Sequence, residues 1–144
     1  MNVKKVVLSA LIIGLGVVSC KKEGCLDADA TNFSAEAKKD DGSCTFEGSN
    51  VFWYNEAIAD FLIADDAVSL TYYVDDILIG SSAAGVFWTS APDCGQDASI
   101  TITKNLGNVK TQSYTYKVID QTGFVYWNGT LNFNANTCFK IELN

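Results

Sequence analysis

Alternation of apolar and polar residues across positions 48–144 is the feature that most restricts the fold of this chain. Val68, Leu70, Tyr72 and Val74 occupy every second position of one segment, and the same period returns in later segments. Residues that recur with a period of two lie on one face of a β-strand. Strands with one polar face belong to antiparallel sheets, and two such sheets bury their apolar faces against each other. The pattern therefore predicts an all-β fold, an immunoglobulin-like antiparallel β-sandwich of about seven or eight strands.

Clusters of glycine, asparagine and aspartate separate the predicted strands, as is typical of turns. The predicted strands are residues 51–54, 68–74, 77–80, 86–89, 99–104, 113–119, 124–134 and 138–143. The stretch Glu56–Ala64, EAIADFLIA, is the only segment of this region that we expect to form a helix.

The composition excludes several classes of function. A chain without histidine has no Ser-His-Asp or Cys-His catalytic group and no histidine ligand for a metal. The chain also has no arginine, and its formal net charge is −7. It therefore lacks the basic surface that nucleic-acid binding needs, and we expect no nucleic-acid partner.

The first twenty residues have the pattern of an export signal. Lys4 and Lys5 precede an apolar stretch at positions 6–18. As a helix this stretch would span about 20 Å, which is short of the roughly 30 Å hydrocarbon core of a membrane. Residues 17–20, VVSC, resemble the lipobox of bacterial lipoproteins, in which small residues precede a cysteine. The alternative is an ordinary secretory signal that ends near a cysteine.

The lipobox resemblance implies a lipid anchor. Residues 1–19 would be removed as a signal peptide, and Cys20 would carry the acyl chains that hold the protein on the membrane. Residues 20–24 would form a lipidated tether. Position 21, directly after the lipidated cysteine, holds Lys21 and not an aspartate. In the general sorting pattern of lipoproteins this favours the outer membrane, on its periplasmic or cell-surface face. The chain that remains has a formal charge of −9 because the signal removes two lysines and no acid.

The remaining four cysteines are expected to form disulfides in an oxidising compartment. Three pairings are possible. We favour Cys25 with Cys44, which bracket a short polar segment, and Cys94 with Cys138, which both lie in the strand-rich region. A zinc site is disfavoured because the closely spaced cysteine pairs that such sites use are absent.

Residues 24–44, GCLDADATNFSAEAKKDDGSC, resemble a short module of large surface proteins of marine Bacteroidetes. Its pattern is GC-x-D-x-x-A-x-N-(F/Y)-x-x-x-A-x-x-DDGSC. The matching positions are Gly24, Cys25, Asp27, Ala30, Asn32, Phe33, Ala37, Asp40, Asp41, Gly42, Ser43 and Cys44. We expect residues 25–47 to form a disulfide-closed, acidic, irregular loop because they contain too few large apolar residues for a core.

This loop is a candidate calcium site. Calcium prefers six to eight oxygen ligands, and the candidates are Asp27, Asp29, Asn32, Asp40 and Asp41. Their spacing is not that of an EF-hand, and Lys38 and Lys39 would oppose a cation. The alternative is a solvated spacer that lifts the β-sandwich off the membrane.

The C-terminal region resembles a small β-sandwich of Bacteroidetes surface lipoproteins. The resemblance rests on PDCG at 92–95, ITI at 100–102, YWNGTLNF at 126–133 and TCFKIEL at 137–143. It implies that Cys94 pairs with Cys138, and it implies no activity. Asn128-Gly129 favours a type I′ hairpin turn, whereas the resemblance favours one long strand with a bulge.

Aromatic residues occur in runs, and neighbours along a strand point to opposite faces. The runs are Phe52-Trp53-Tyr54, Phe87-Trp88 and Tyr126-Trp127. We therefore expect at least one ring of each run to face away from the core. Exposed Trp53, Trp88 and Trp127 would suit stacking on a polysaccharide or contact with a surface protein, unless residues 56–66 cover them.

These features predict an outer-membrane or cell-surface lipoprotein that binds or adheres without catalysis. A purely structural surface protein is the alternative. A small hydrolase is disfavoured because the adjacent acids Asp65-Asp66 and Asp75-Asp76 are expected to diverge in turns, whereas a glycosidase pair must converge across a cleft.

Overall fold

The computed structural model describes residues 21–144, so the predicted signal peptide and the predicted lipidation of Cys20 lie outside the described residues. It contains one helix and seven strands in this range. They are β1 (Phe46–Trp53), α1 (Glu56–Ala64), β2 (Ser69–Val74), β3 (Ile77–Ala83), β4 (Ile100–Gly107), β5 (Thr111–Asp120), β6 (Val125–Asn134) and β7 (Cys138–Glu142). The predicted all-β sandwich and the helix are confirmed.

Two sheets form the sandwich. The small sheet has the order β4-β1-β7, and the large sheet has the order β3-β2-β5-β6. The pairings are antiparallel except that β1 and β7 run parallel. Two parallel strands need a long connection between them. Here the connection from β1 to β7 contains α1 and all four strands of the large sheet.

The core lies between the sheets. Leu70, Tyr72 and Val74 of β2 are buried at every second position, as the alternation predicted. The ring of Phe52 from β1 packs 5.6 Å from that of Tyr72 and 5.5 Å from that of Tyr116. Burial of a phenylalanine of this kind stabilises the fold by about 1.5–3 kcal/mol.

Both predicted disulfides are present, Cys25–Cys44 and Cys94–Cys138. The two cysteines of the first disulfide are 19 positions apart in the sequence, and those of the second are 44 positions apart. In the chain-entropy account, loops of these lengths destabilise the unfolded state by about 3 and about 4 kcal/mol. The second disulfide also holds the irregular residues 84–99 to the edge strand β7.

The strand predicted at 86–89 is wrong. These residues belong to the irregular segment that follows β3. The backbone N–H of Val86 donates to the Ala83 carbonyl, which closes a turn and leads the chain out of the sheet. The N–H of Trp88 then donates to the Tyr54 carbonyl beyond the end of β1, and no ladder forms.

The hairpin interpretation of Asn128-Gly129 is also wrong, and the single long strand is confirmed. Gly129 pairs with Tyr116 in an unbroken part of the β5–β6 ladder. A Cβ at Gly129 would lie 3.0 Å from the Tyr116 ring. The glycine is therefore needed because an aromatic ring packs over it, and not because the chain turns there.

Candidate ligand-binding groove

An open groove lined by aromatic residues lies between helix α1 and the first half of β6. We call it the aromatic groove, and its volume is about 350 Å³. Its lining residues are Ile58, Phe61, Asp65, Phe124, Val125, Tyr126, Trp127 and Asn144.

Helix α1 supplies one wall of the aromatic groove. The Asn55 side chain accepts a hydrogen bond from the Ile58 N–H at 3.1 Å and caps the start of the helix. Ala59 and Leu62 are buried and fix the helix on the sandwich. Phe61 consequently points outward, and it is 54% exposed.

A β-bulge in β6 supplies the opposite wall. Val118 pairs with Trp127 and Ile119 pairs with Val125, so Tyr126 is the extra residue. A bulge places two residues opposite one and changes the direction of their side chains. Tyr126 and Trp127 therefore both line the groove, with ring centroids 5.6 Å apart. The strict alternation expected for this aromatic run does not hold at the bulge.

The turn before β6 positions Phe124. One carboxylate oxygen of Asp120 accepts hydrogen bonds from the Thr122 N–H, the Thr122 hydroxyl and the Phe124 N–H, at 2.7–2.8 Å. Burial alone would raise the pKa of Asp120, but these hydrogen bonds and one from Gly123 outweigh it and hold the pKa below its usual value. Phe124, at the end of this ordered turn, is 59% exposed.

Tyr126 is at the centre of the aromatic contacts. The rings of Phe61 and Phe124 stand nearly perpendicular to it, with centroids 6.4 Å and 5.0 Å away. The core fixes the position of Trp127, because the Trp127 ring stacks on the ring of buried Tyr54 with 6.4 Å between the centroids. The groove therefore presents exposed rings on a fixed base.

The polar groups of the groove are acidic or neutral. The Tyr126 hydroxyl donates to Asp65 Oδ2 at 2.7 Å. This hydrogen bond, followed by burial and the charges of Asp65, Asp120 and Asp66, raises the pKa of Tyr126 to about 12. The Trp127 Nε1–H donates to the Asn144 carbonyl at 3.2 Å.

The three tryptophans that the sequence suggested as ligand-stacking residues lie at two different places in the structure. All three are half-buried, and Trp127 lines the aromatic groove. Trp53 and Trp88 instead line a cavity of about 10 Å³, which has room for about one water molecule. Phe61 and Phe124 were missed because no sequence signal links a helix residue to the turn before β6.

Two of the proposed calcium ligands form ion pairs instead. Asp27 and Asp29 bind Lys110 of the sandwich, with Nζ–O distances of 2.7 Å and 2.9 Å. The hydrogen bond from Lys110 lowers the pKa of Asp27, and the same contacts raise the pKa of Lys110. These carboxylates dock the loop on the sandwich.

The other three proposed ligands stabilise turns within the loop. Asn32 accepts a hydrogen bond from the Thr45 N–H at 2.9 Å and donates to the Ser43 carbonyl at 2.6 Å. Asp40 and Asp41 each accept an N–H from the residue two positions later, at 3.1 Å and 2.9 Å. Within residues 21–144, no three acidic or cysteine side chains come close enough to hold a metal ion. The arrangement therefore does not favour the calcium hypothesis.

The adjacent acids considered for hydrolysis lie in two different places. Asp75 and Asp76 form the exposed turn between β2 and β3, where Asp76 pairs with Lys117 at 2.7 Å. Asp65 and Asp66 follow the end of α1. A general acid needs a raised carboxyl pKa. In the described part of the chain, the carboxyl groups whose pKa departs from its usual value all have it lowered.

A second opening, of about 370 Å³, lies where the loop meets the outer face of the small sheet. It is lined by residues of both parts, including Asp29, Thr31, Ser49 and Thr103. The hydroxyls of Ser49 and Thr103 already bind each other at 2.7 Å. No aromatic residue lines this opening, so the aromatic groove has the better chemistry for ligand binding.

No helix within residues 21–144 has the length and apolar character needed to cross a membrane. No protein family, curated protein or solved structure matches this chain. The candidate function therefore depends on the geometry of the groove.

Proposed function

We propose that this protein is a lipid-anchored lipoprotein of the bacterial outer membrane, and that its β-sandwich binds a polysaccharide without catalysis through the aromatic groove. The observation that carries the proposal is the open groove in which Phe61, Phe124, Tyr126 and Trp127 present their rings beside Asp65. Neighbouring apolar side chains exposed in one patch mark interaction sites more often than isolated exposed rings do.

The chemistry of the groove suits a sugar chain. Binding sites for organic ligands combine apolar walls with a few placed polar groups. The C–H faces of a sugar ring pack on aromatic rings, and its hydroxyls bind carboxylate and amide groups. Phe61 and Phe124 offer apolar rings, and Asp65 and Asn144 offer polar groups at the same groove.

The anchoring part of the proposal rests on the lipobox resemblance at residues 17–20, and the disulfide-closed loop would set the position of the groove relative to that anchor. A lipid on Cys20 would lie five residues before Cys25, so the tether would span at most about 18 Å. Because Asp27 and Asp29 are paired with Lys110, the loop does not hang freely from the sandwich. A docked loop on a short tether would hold the groove at a limited distance from the membrane.

A purely structural role is the second candidate, and one observation favours it. The polar positions of the loop pattern serve its own turns and its docking, as the Asn32 hydrogen bonds illustrate. A loop of this kind needs no ligand of its own. The two candidate functions differ in one respect: the aromatic groove binds polysaccharide in the first and binds none in the second.

The test is a glycan array and polysaccharide pull-down with residues 21–144, run with calcium and with chelator. Phe61→Ala and Phe124→Ala remove exposed rings from the groove. Phe33→Ala is the matched control, because Phe33 is 46% exposed and lies in the loop. Selective binding that both groove variants lose and the control retains would support the proposal. Silence toward all polysaccharides under both conditions would overturn it and favour the structural role.

A further inference from the structure

We infer that the polysaccharide recognised by the aromatic groove carries free, protonated amines, as a glucosamine polymer does. This inference rests on the proposed function and names the class of sugar for the same site. It is carried by the combination of aromatic faces with an acidic group and by the absence of any lysine among the residues that line the groove.

The charges around the groove have one sign. Asp65 lines it, and Asp66 directly follows at the end of α1. The charge of Asp120, behind the turn that holds Phe124, also acts on the Tyr126 hydroxyl. A uronate or sulfate group placed here would meet repulsion, because no cation of the lining could balance it.

The lysines of β5 and β7 are paired with acids outside the groove lining. Lys117 binds Asp76 at 2.7 Å and lies over the ring of Tyr73. Lys140 binds Asp93 at 2.8 Å. These lysines neutralise acids at other surfaces, so the groove keeps its negative character.

The rings add to the attraction for a cation. A ring face attracts an ammonium group within about 6 Å of its centre, by about 0.5–1 kcal/mol at an exposed site. The planes of Phe61 and Phe124 lie at 89° and 77° to that of Tyr126. Phe61 and Phe124 are both more than half exposed and line the groove, so their rings are accessible to a cation bound there.

Asp65 can bind the amine directly. Its Oδ2 accepts the Tyr126 hydroxyl at 2.7 Å. Within residues 21–144, its Oδ1 has no hydrogen-bond partner, and Asp65 is one of the residues that line the groove. An ammonium group offers several N–H donors, and its bond to a carboxylate is stronger than a bond between neutral groups.

The experiment compares a glucosamine hexamer with its fully N-acetylated counterpart by calorimetry, at a slightly acid pH where the free amines are charged and at fixed ionic strength. Acetylation keeps the sugar chain and removes the positive charge. We expect residues 21–144 to bind the glucosamine hexamer about tenfold more tightly. Asp65→Asn should reduce this preference to nearly equal binding, while Asp60→Asn, on the same helix but outside the groove, should leave it unchanged.

The outcomes separate this inference from the proposed function. Equal or tighter binding of the acetylated hexamer overturns the inference and leaves polysaccharide binding intact. Binding of anionic polysaccharides alone has the same meaning. A preference that survives Asp65→Asn also overturns it. If the protein binds polylysine and does not bind the glucosamine hexamer, the inference is overturned in favour of a basic protein partner. If it binds no polysaccharide at all, the proposed function is overturned together with the inference.

Discussion

Lys110 of the β-sandwich forms an ion pair with Asp27 of the disulfide-closed loop, with 2.7 Å between Nζ and the carboxylate oxygen. The two residues are 83 positions apart in the sequence. The same ammonium group lies 5.5 Å from the centre of the Phe46 ring, at the start of β1. The loop and the first strand of the sandwich are therefore held at one point by a single lysine.

Lys110→Met should loosen the loop without unfolding the sandwich. The variant keeps the apolar stem of the side chain and removes the charge that binds Asp27 and Asp29. Hydrogen exchange by mass spectrometry should show faster exchange in residues 24–44 and unchanged exchange in β2 and β5. Lys38→Met removes a loop charge that forms no ion pair within residues 21–144 and should leave exchange unchanged. Equal protection in both variants would mean that the ion pair does not hold the loop.

Acid should release the loop in the wild type. The hydrogen bond from Lys110 lowers the pKa of Asp27 below its ordinary 3.8 in the folded state. The stabilisation from a lowered pKa is complete above the ordinary value and is lost as the pH falls through the folded value. Protection in residues 24–44, corrected for the intrinsic exchange rate at each pH, should therefore decrease below about pH 4 in the wild type. Lys110→Met should lack this step, and an identical pH profile in the two proteins would contradict the assignment.

Two glycines should tolerate alanine poorly for different steric reasons. A Cβ at Gly48 would lie 2.5 Å from the Asn134 carbonyl oxygen, so backbone would have to move. A Cβ at Gly129 would lie 3.0 Å from the Tyr116 ring. Overpacking of this kind costs about 1–3 kcal/mol, and we expect Gly48→Ala to lie at or above the upper end in denaturant unfolding. Gly80→Ala is the control, because its nearest neighbour is the flexible end of Ile100 at 3.3 Å. Equal stability of all three variants would contradict the steric account.

Most of the sandwich could be predicted because its signals are local. The alternation in β2, the bounds of α1 and the two cysteine pairs each depend on residues within one segment or on a small number of pairings. Gly129 was ambiguous because the sequence shows a glycine and does not show the Tyr116 ring that packs over it.

The groove could be predicted only in part. The Tyr126-Trp127 run was visible in the sequence, but the bulge that turns both rings to one side depends on the pairing of β6 with β5. Phe61 contacts Tyr126 across 65 positions of sequence, and nothing local in either segment indicates that contact. Tertiary packing, and not propensity, decides which exposed rings meet.

Asp120→Asn should disorder the turn that presents Phe124. The substitution keeps the size of the side chain and removes the charge that strengthens three hydrogen bonds to Thr122 and Phe124. We expect a lower melting temperature and faster exchange of the Phe124 amide. The wild type should approach the variant as the pH falls below the ordinary pKa of 3.8, because the folded-state pKa is lowered. Asp97→Asn, at an exposed position in the segment 84–99, should change neither quantity.

The Tyr126 hydroxyl should ionise at a higher pH than that of an ordinary tyrosine, because it donates a hydrogen bond to Asp65. Its pKa is raised to about 12, so the stabilisation from this contact is complete below pH 10 and is lost as the pH rises through about 12. Absorbance titration of tyrosinate should show one tyrosine fewer ionising at high pH in Tyr126→Phe. In Asp65→Asn, that tyrosine should ionise closer to the ordinary value of 10, since the carboxylate charge is gone. Asp60→Asn controls for the loss of one negative charge on the same helix, and a titration curve of Asp65→Asn that matches the wild type would exclude Asp65 as the partner that holds Tyr126 at the groove.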